Sequence, residues 1–159
     1  MIEAKRQLNV VLPAVAASVA CMRSDAAGLA LAAGASEEQA DRVRLAVSEA
    51  VTNVVEHAYA RGGSGRVQLV AAVENGELLV LVSDDGHGMS SRRRSRGLGL
   101  GLALMADACD GLTISARSGG GVEVQTRFVL AAEPVRQPAA QAPASRAARP
   151  TSGRFSTTT

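Results

Sequence analysis

Near the N-terminus, apolar and polar positions alternate along a short stretch. Leu8, Val10 and Leu12 alternate with Gln7 and Asn9, which is typical of a half-buried strand. Pro13 ends this pattern and is well suited to the first turn of a helix. A strand followed by a helix over about residues 13–33 is therefore predicted.

A second helix is indicated after Gly34. The segment "SEEQ" at 36–39 has the form of a capping box, in which the serine and glutamine side chains each satisfy a free backbone N–H. Apolar residues then recur at helical spacing, which predicts a helix over about residues 37–59.

The second half of the chain is dominated by strand patterns. Asn75-Gly76 lies between "RVQLVAAV" and "ELLVLVS", which is a strong hairpin signal. A polar loop, an apolar helix over about 100–109 and two more strands joined across 119–121 follow. This order predicts an α+β fold, a two-layer sandwich whose antiparallel or mixed sheet is covered on one face by three helices.

Composition limits the classes of function. The 159 residues are 47% hydrophobic, enough for one domain, which we place at residues 1–130. Residues 131–159 are rich in Pro, Ala, Ser and Thr, and we expect them to be disordered. Basic and acidic residues nearly balance at 17 and 15 and aromatics make up 2%, so direct nucleic-acid binding is not expected. No apolar run reaches membrane-spanning length, and Cys21 and Cys109 are expected to be buried free thiols.

Three polar residues of the second predicted helix recur at a spacing of four. Glu49, Asn53 and His57 lie along the flank of the apolar stripe rather than opposite it. A carboxylate and a carboxamide one turn apart could take up a proton and complete the coordination of Mg²⁺. The same spacing also occurs on solvated helix flanks, and by itself does not distinguish the two.

Glycines follow in two groups. Asp84, Gly86 and Gly88 form D-x-G-x-G directly after an apolar strand, where an aspartate could accept from an amino group such as that of adenine, or the segment could be a simple turn. Gly97, Gly99 and Gly101 open a helix, which favours either anion binding or close helix packing.

Other nucleotide-binding motifs are excluded, and an arginine-rich loop lies between the two glycine groups. With Lys5 as its single lysine the chain has no P-loop, and the second glycine group does not complete G-x-G-x-x-G. The loop's arginines form a solvated face, or one of them neutralises a terminal phosphate. They are Arg92, Arg93, Arg94 and Arg96, and Arg96 is the candidate phosphate contact.

In order, these three patterns resemble the N, G1 and G2 boxes of the superfamily of gyrase, heat-shock chaperone, histidine-kinase and mismatch-repair ATPases. "AVSEAVTNVVEHAY" most closely resembles the anti-sigma-factor serine kinases. The resemblance covers about residues 5–130. It departs in the lid, because the connection between the boxes, residues 89–96, is shorter and richer in arginine than in many relatives.

The resemblance implies a Bergerat ATP-binding fold with ATP and Mg²⁺ as cofactors. It implies that Glu49 is the general base, that Asn53 is the Mg²⁺ ligand and that Asp84 binds the adenine amine. It also implies that five glycines shape the pocket and the phosphate-binding lid: Gly86, Gly88, Gly97, Gly99 and Gly101.

The function so implied is that of a cytoplasmic ATP- and Mg²⁺-dependent protein serine kinase. Its partners would be an anti-anti-sigma protein of the STAS type, a sigma factor that it sequesters, and a second copy of itself in a homodimer. A non-catalytic, nucleotide-gated protein-binding module is the alternative. A sensor histidine kinase is disfavoured, because no helices carrying a phospho-accepting histidine precede Leu8.

Overall fold

The computed structural model describes residues 6–59, 64–87 and 98–130. These form five strands and three α-helices, the second of which continues into a π-helical segment. The strands are β1 Arg6–Pro13, β2 Arg66–Glu74, β3 Glu77–Asp84, β4 Gly111–Ala116 and β5 Val122–Val129. The helices are α1 Ala16–Ala32, α2 Glu37–Asn53 with the π-helical segment Val54–Ala58, and α3 Leu98–Ala108.

The strands form one sheet in the order β1-β2-β3-β5-β4. Each of the four neighbouring pairs is antiparallel, so of the two arrangements that the sequence left open, the antiparallel one is found. The predicted β2–β3 hairpin is confirmed. Asn75 and Gly76 have φ of 53° and 77°, the left-handed conformations that a tight two-residue hairpin turn needs.

The core lies between the helices and one face of the sheet. Leu69 of β2, Val80 of β3 and Phe128 of β5 are buried on this face, where Met22 of α1 and Val47 of α2 pack against the sheet. On the opposite face Leu79 and Val129 stay exposed, because alternate side chains of a strand point to opposite faces. The α+β fold of two layers is confirmed.

The helix boundaries differ in part from the prediction. Pro13 does not begin a helix: it is the last residue of β1, opposite Arg66, and α1 starts at Ala16. A proline is tolerated there because β1 is an edge strand. The capping box of α2 is confirmed, with Ser36 Oγ accepting from Gln39 N–H and Gln39 Oε1 accepting from Ser36 N–H.

The two cysteines differ in exposure. Cys109 is buried as predicted, whereas Cys21 is exposed, because it lies on the outward side of α1. In the part of the chain that the structure describes, no helix is long and apolar enough to cross a bilayer. The predicted tail, 131–159, and the predicted arginine-rich lid lie outside the described residues.

Candidate functional site

The last turns of α2 carry Glu49 and Asn53. Both residues lie within the regular α-helix, so their spacing of four places the side chains one above the other on one face. Both are partly exposed beside the buried apolar stripe of the helix. Their carboxylate and carboxamide oxygens therefore stand at the edge of the core rather than on a fully solvated surface.

Helix α3 packs against this face of α2 and places Gly101 beside both side chains. A Cβ atom on Gly101 would lie 2.8 Å from Oε2 of Glu49 and 3.9 Å from Oδ1 of Asn53. Any larger residue would push against the carboxylate. The glycine thus leaves bare backbone facing the side-chain oxygens of Glu49 and Asn53. The polar pair on α2 and the second glycine group of the sequence therefore lie next to each other in the fold.

Asp84 ends β3 and is almost fully buried, with 4% of its surface exposed. Its Oδ1 accepts the N–H of Gly86 at 2.8 Å, and its Oδ2 accepts the N–H of Val122 at 3.3 Å. Burial raises the pKa of the Asp84 carboxyl above its ordinary value, while these two N–H groups and the charge of Arg117 oppose the rise. The aspartate is held rigidly on the helix-covered face of the sheet.

The turn between β4 and β5 closes over the end of β3, which the sequence patterns did not indicate. Gly121, at φ +91°, lies so close to Asp84 that a Cβ there would overlap the Asp84 carbonyl oxygen. A Cβ on Gly120 would lie 3.2 Å from the carbonyl oxygen of Gly86. The guanidinium of Arg117 donates to the carbonyl oxygen of Asp84 at 2.8 Å. The sequence feature that could have indicated this contact is the run of three glycines at 119–121, which is more than a hairpin turn needs.

The π-helical segment after Asn53 reaches the other side of the D-x-G-x-G segment. Its last carbonyl, that of Ala58, accepts the N–H of His87 at 3.2 Å, and a Cβ on Gly86 would overlap that same carbonyl oxygen. His57 lies within this π-helical segment, whose hydrogen-bonding register differs from that of the α-helix that carries Glu49 and Asn53.

Of the remaining predicted site residues, the structure describes Gly99. Gly99 lies near the start of α3, where an added Cβ would meet nothing within 4 Å. Gly88, Gly97 and Arg96 fall outside the described residues. The described part of the chain holds no cluster of three or more His, Cys, Asp or Glu side chains that could bind a metal by themselves. A Mg²⁺ ion held mainly by phosphates and water needs no such cluster.

A separate groove of about 600 Å³ lies between α1 and α2. Its lining combines small, basic and apolar side chains, namely Ala20, Arg23, Ser24, Arg44, Leu45 and Ser48. None of the predicted site residues lines it. The candidate site residues thus lie on α2, on α3 and at the end of β3, and not in this groove.

Comparison with known proteins decides the family. The family model described as "Histidine kinase-like ATPase domain" matches residues 12–128, which run from the end of β1 nearly to the end of β5 and include all three helices. The chain belongs to the histidine kinase-like ATPase domain family. The resemblance inferred from the three sequence patterns is therefore confirmed.

Individual members of the histidine kinase-like ATPase family are similar over shorter lengths. The serine-protein kinases RsbW of Bacillus thuringiensis (strain Al Hakam) and Bacillus anthracis are each 33% identical over 86 residues, 54% of this chain and 53% of theirs. The chain thus spans about half the length of these curated relatives. The crystal structure of the RsbU and RsbW domains of Rv1364c from Mycobacterium tuberculosis matches with a TM-score of 0.63 at 24% identity. That match covers 79% of this chain and 32% of the other, and supports the fold.

Proposed function

We propose that this protein is an ATP- and Mg²⁺-dependent protein serine kinase of the anti-sigma-factor type. The observation that carries the proposal is the contact of Gly101 with Glu49 and Asn53, which brings a carboxylate and a carboxamide to the start of α3. The similarity to serine-protein kinases RsbW supports the choice of a serine as phosphoryl acceptor.

The donor set fits a magnesium nucleotide. Asn53 offers a carboxamide oxygen, and oxygen ligands are those that Mg²⁺ prefers. The absent side chain of Gly101 leaves space in front of that oxygen. When bound, Mg²⁺ would offset the negative charge of the phosphates. Asn53 would hold it, and the Asp84 carboxylate would accept a hydrogen bond from the adenine amino group.

Glu49 is proposed to act as the general base. The hydroxyl oxygen of the partner's serine attacks the γ-phosphorus of ATP, the bond to the β,γ-bridging oxygen breaks, and ADP leaves. The proton of the hydroxyl passes to the Glu49 carboxylate. Phosphoryl transfer depends mostly on positioning and charge stabilisation, so one base on a rigid helix and a backbone-lined phosphate site are sufficient. Arg96, Gly88, Gly97 and Gly99 are proposed to complete the phosphate side.

The proposed protein substrate is a small anti-anti-sigma protein of the STAS type. A sigma factor that the kinase sequesters and a second copy of the chain are proposed as its other partners. These partners are what the resemblance to anti-sigma-factor kinases implies. The groove between α1 and α2 and the open face of the sheet are separate from the site and leave surface for them.

The test is transfer of labelled γ-phosphate from ATP to a STAS-type protein encoded beside this one. Wild type is compared with Glu49→Gln, which removes the base but keeps its shape. Glu38→Gln is the matched control, since Glu38 is exposed in the first turn of the same helix. We expect Glu49→Gln to lower the transfer rate by about 10²–10⁴-fold, the range of general-base catalysis, and Glu38→Gln to leave it unchanged.

Calorimetric titration with Mg·ATP on the same proteins separates the outcomes. Retained nucleotide affinity in Glu49→Gln together with lost transfer supports the kinase. Equal affinity with no transfer in wild type or variant means a nucleotide-gated binding module instead. Absence of nucleotide uptake by wild type overturns both.

A further inference from the structure

The hydroxyl of Tyr59 lies at the meeting point of three segments that are distant in sequence. Tyr59 follows the π-helical segment directly, and its hydroxyl donates to the carboxylate of Asp85, the residue after β3. The same oxygen accepts the N–H of Arg66 at 3.2 Å and the N–H of Asp85 at 3.3 Å. The carbonyl oxygen of Arg66 lies 2.7 Å from it as a second acceptor.

The tyrosine ring is also fitted into the backbone. It occupies the position that a side chain on residue 65 would need, because a Cβ on Gly65 would overlap the ring. The chain therefore keeps a glycine where the ring passes, just before β2 begins. Ring and hydroxyl together join the end of the second helix to the start of β2 and the end of β3.

These contacts act on the segment that carries Asp84. On the side of the β4–β5 turn, Asp84 is held by Val122 and Arg117. On the helix side, Tyr59 holds the next residue, Asp85, and the carbonyl oxygen of Ala58 accepts the N–H of His87. Without the helix-side contacts, the segment after Asp84 would be fixed from one side only.

We propose that Tyr59 is a positioning residue whose hydroxyl, through Asp85, holds the Asp84–His87 segment in the conformation that binds the adenine end of the nucleotide. That the ligand is an adenine nucleotide rests on the proposed function. The hydroxyl itself is the required group, because a phenylalanine would fill the same space and leave Asp85 and the N–H of Arg66 without this partner. Tyr59 touches no reacting atom and acts through its neighbours.

The protonation states of Tyr59 and Asp85 favour the hydrogen bond between them. Burial, followed by the hydrogen bond to the Asp85 carboxylate, raises the pKa of Tyr59 to about 12. The hydrogen bond from Tyr59 lowers the pKa of Asp85. At neutral pH the phenol thus remains a donor and the carboxylate an acceptor, and a hydrogen bond to an ionised acceptor is stronger than one between neutral groups.

The first experiment measures amide hydrogen exchange of the full 159-residue chain without nucleotide, in wild type and in Tyr59→Phe. We expect the N–H groups of Gly86 and His87 to exchange about tenfold faster in the variant, corresponding to one hydrogen bond to a charged group. Asn9→Ala is the matched control. It removes the hydrogen bond between Gln68 Nε2 and Asn9 Oδ1, 3.0 Å long, on the open face of the sheet.

The second experiment measures the dissociation constant of Mg·ATP for Tyr59→Phe, Asp85→Ala and the double variant. We expect each single change to weaken binding about five- to tenfold. The double variant should be hardly weaker than Asp85→Ala, because the tyrosine acts through the aspartate. Asn9→Ala should bind as wild type does, even where its melting temperature falls.

The outcomes are distinct. Unchanged exchange of the Gly86 and His87 amides in Tyr59→Phe overturns the positioning role, whether or not nucleotide binds. If these amides exchange faster in Tyr59→Phe but wild type binds no nucleotide, the proposed function is wrong, while the contact of Tyr59 with the Asp84–His87 segment is retained. Lower thermal stability of Tyr59→Phe with unchanged affinity for Mg·ATP would reduce Tyr59 to a structural contact and overturn the proposal.

Discussion

A methyl group added at Gly101 should lower the rate of the proposed phosphoryl transfer without lowering the stability of the fold. In Gly101→Ala the new Cβ would lie 2.8 Å from Oε2 of Glu49, which is the mobile end of a side chain. The carboxylate will therefore turn away, while the helices stay packed. Alanine favours a helix interior by about 1 kcal/mol over glycine, so the variant should unfold at the same or a higher temperature. Its phosphoryl transfer should fall at least about tenfold, because a general base must stand at the proton.

Gly28→Ala is the matched control for this prediction. Gly28 lies inside α1, and an added Cβ there meets nothing within 4 Å. It should give the same helix stabilisation with wild-type transfer. Thermal unfolding by circular dichroism and the transfer assay, run on the same preparations, measure both quantities. Wild-type transfer by Gly101→Ala would contradict the role of Glu49.

Among single residues, the sequence could predict neighbours on one helix but not neighbours across the fold. Glu49 and Asn53 could be paired because four residues of an α-helix return to the same face. The contacts of Asp84 with Arg117 and Gly121 join residues more than thirty positions apart. Hydrophobic periodicity does not contain the order of the strands, so these contacts could not be derived from it. Tyr59, likewise, acquires its role only once β2 and β3 are paired.

Helix α2 is fixed at its N-terminus by the capping box and carries the proposed site near its other end. Gln39 also donates to the carbonyl oxygen of Val129, which ties this end of the helix to β5. In Ser36→Ala the N–H of Gln39 loses its acceptor, and the free energy of unfolding should fall by about 1 kcal/mol. Thirteen residues of helix, roughly 20 Å, separate Ser36 from Glu49. Nucleotide affinity should therefore be unchanged.

Ser24→Ala provides the comparison, since Ser24 is exposed in the interior of α1. Removal of its hydroxyl should slightly raise stability, because serine is a poorer helix former than alanine. Urea denaturation with parallel calorimetric titration tests both variants. Equal stability of the two proteins would mean that the box contributes nothing to folding, and weakened nucleotide binding in Ser36→Ala would mean that the two ends of α2 are coupled.

The elements themselves were predicted well where pattern and turn chemistry agree. Alternation indicated β1 and the strand patterns around glycine-containing turns indicated the other four strands, and the Asn75-Gly76 turn and the capping box are found as expected. The π-helical segment was missed, because the apolar pattern continues through Val54 and only the hydrogen-bonding register changes. Pro13 was misassigned because a proline satisfies the end of an edge strand as well as the first turn of a helix.

In the molecule as a whole, the proposed site takes its residues from three separate elements of the fold. Glu49 and Asn53 belong to α2, Gly101 to α3 and Asp84 to β3. A ligand that spans them is bound by the folded chain and not by the unfolded one. Its binding free energy therefore adds to the stability of the entire fold.

Magnesium should account for a defined part of that added stability. At a concentration 100 times its dissociation constant, a ligand stabilises the folded state by about 2.7 kcal/mol. We expect ATP to raise the melting temperature of wild type by several degrees with Mg²⁺ and by clearly less with EDTA. In Asn53→Ala the difference between these two conditions should largely disappear, because the carboxamide oxygen is gone. Asn9→Ala, on the open face of the sheet, should retain it. An unchanged magnesium dependence in Asn53→Ala would remove Asn53 from the metal site and leave the metal to the phosphates and water alone.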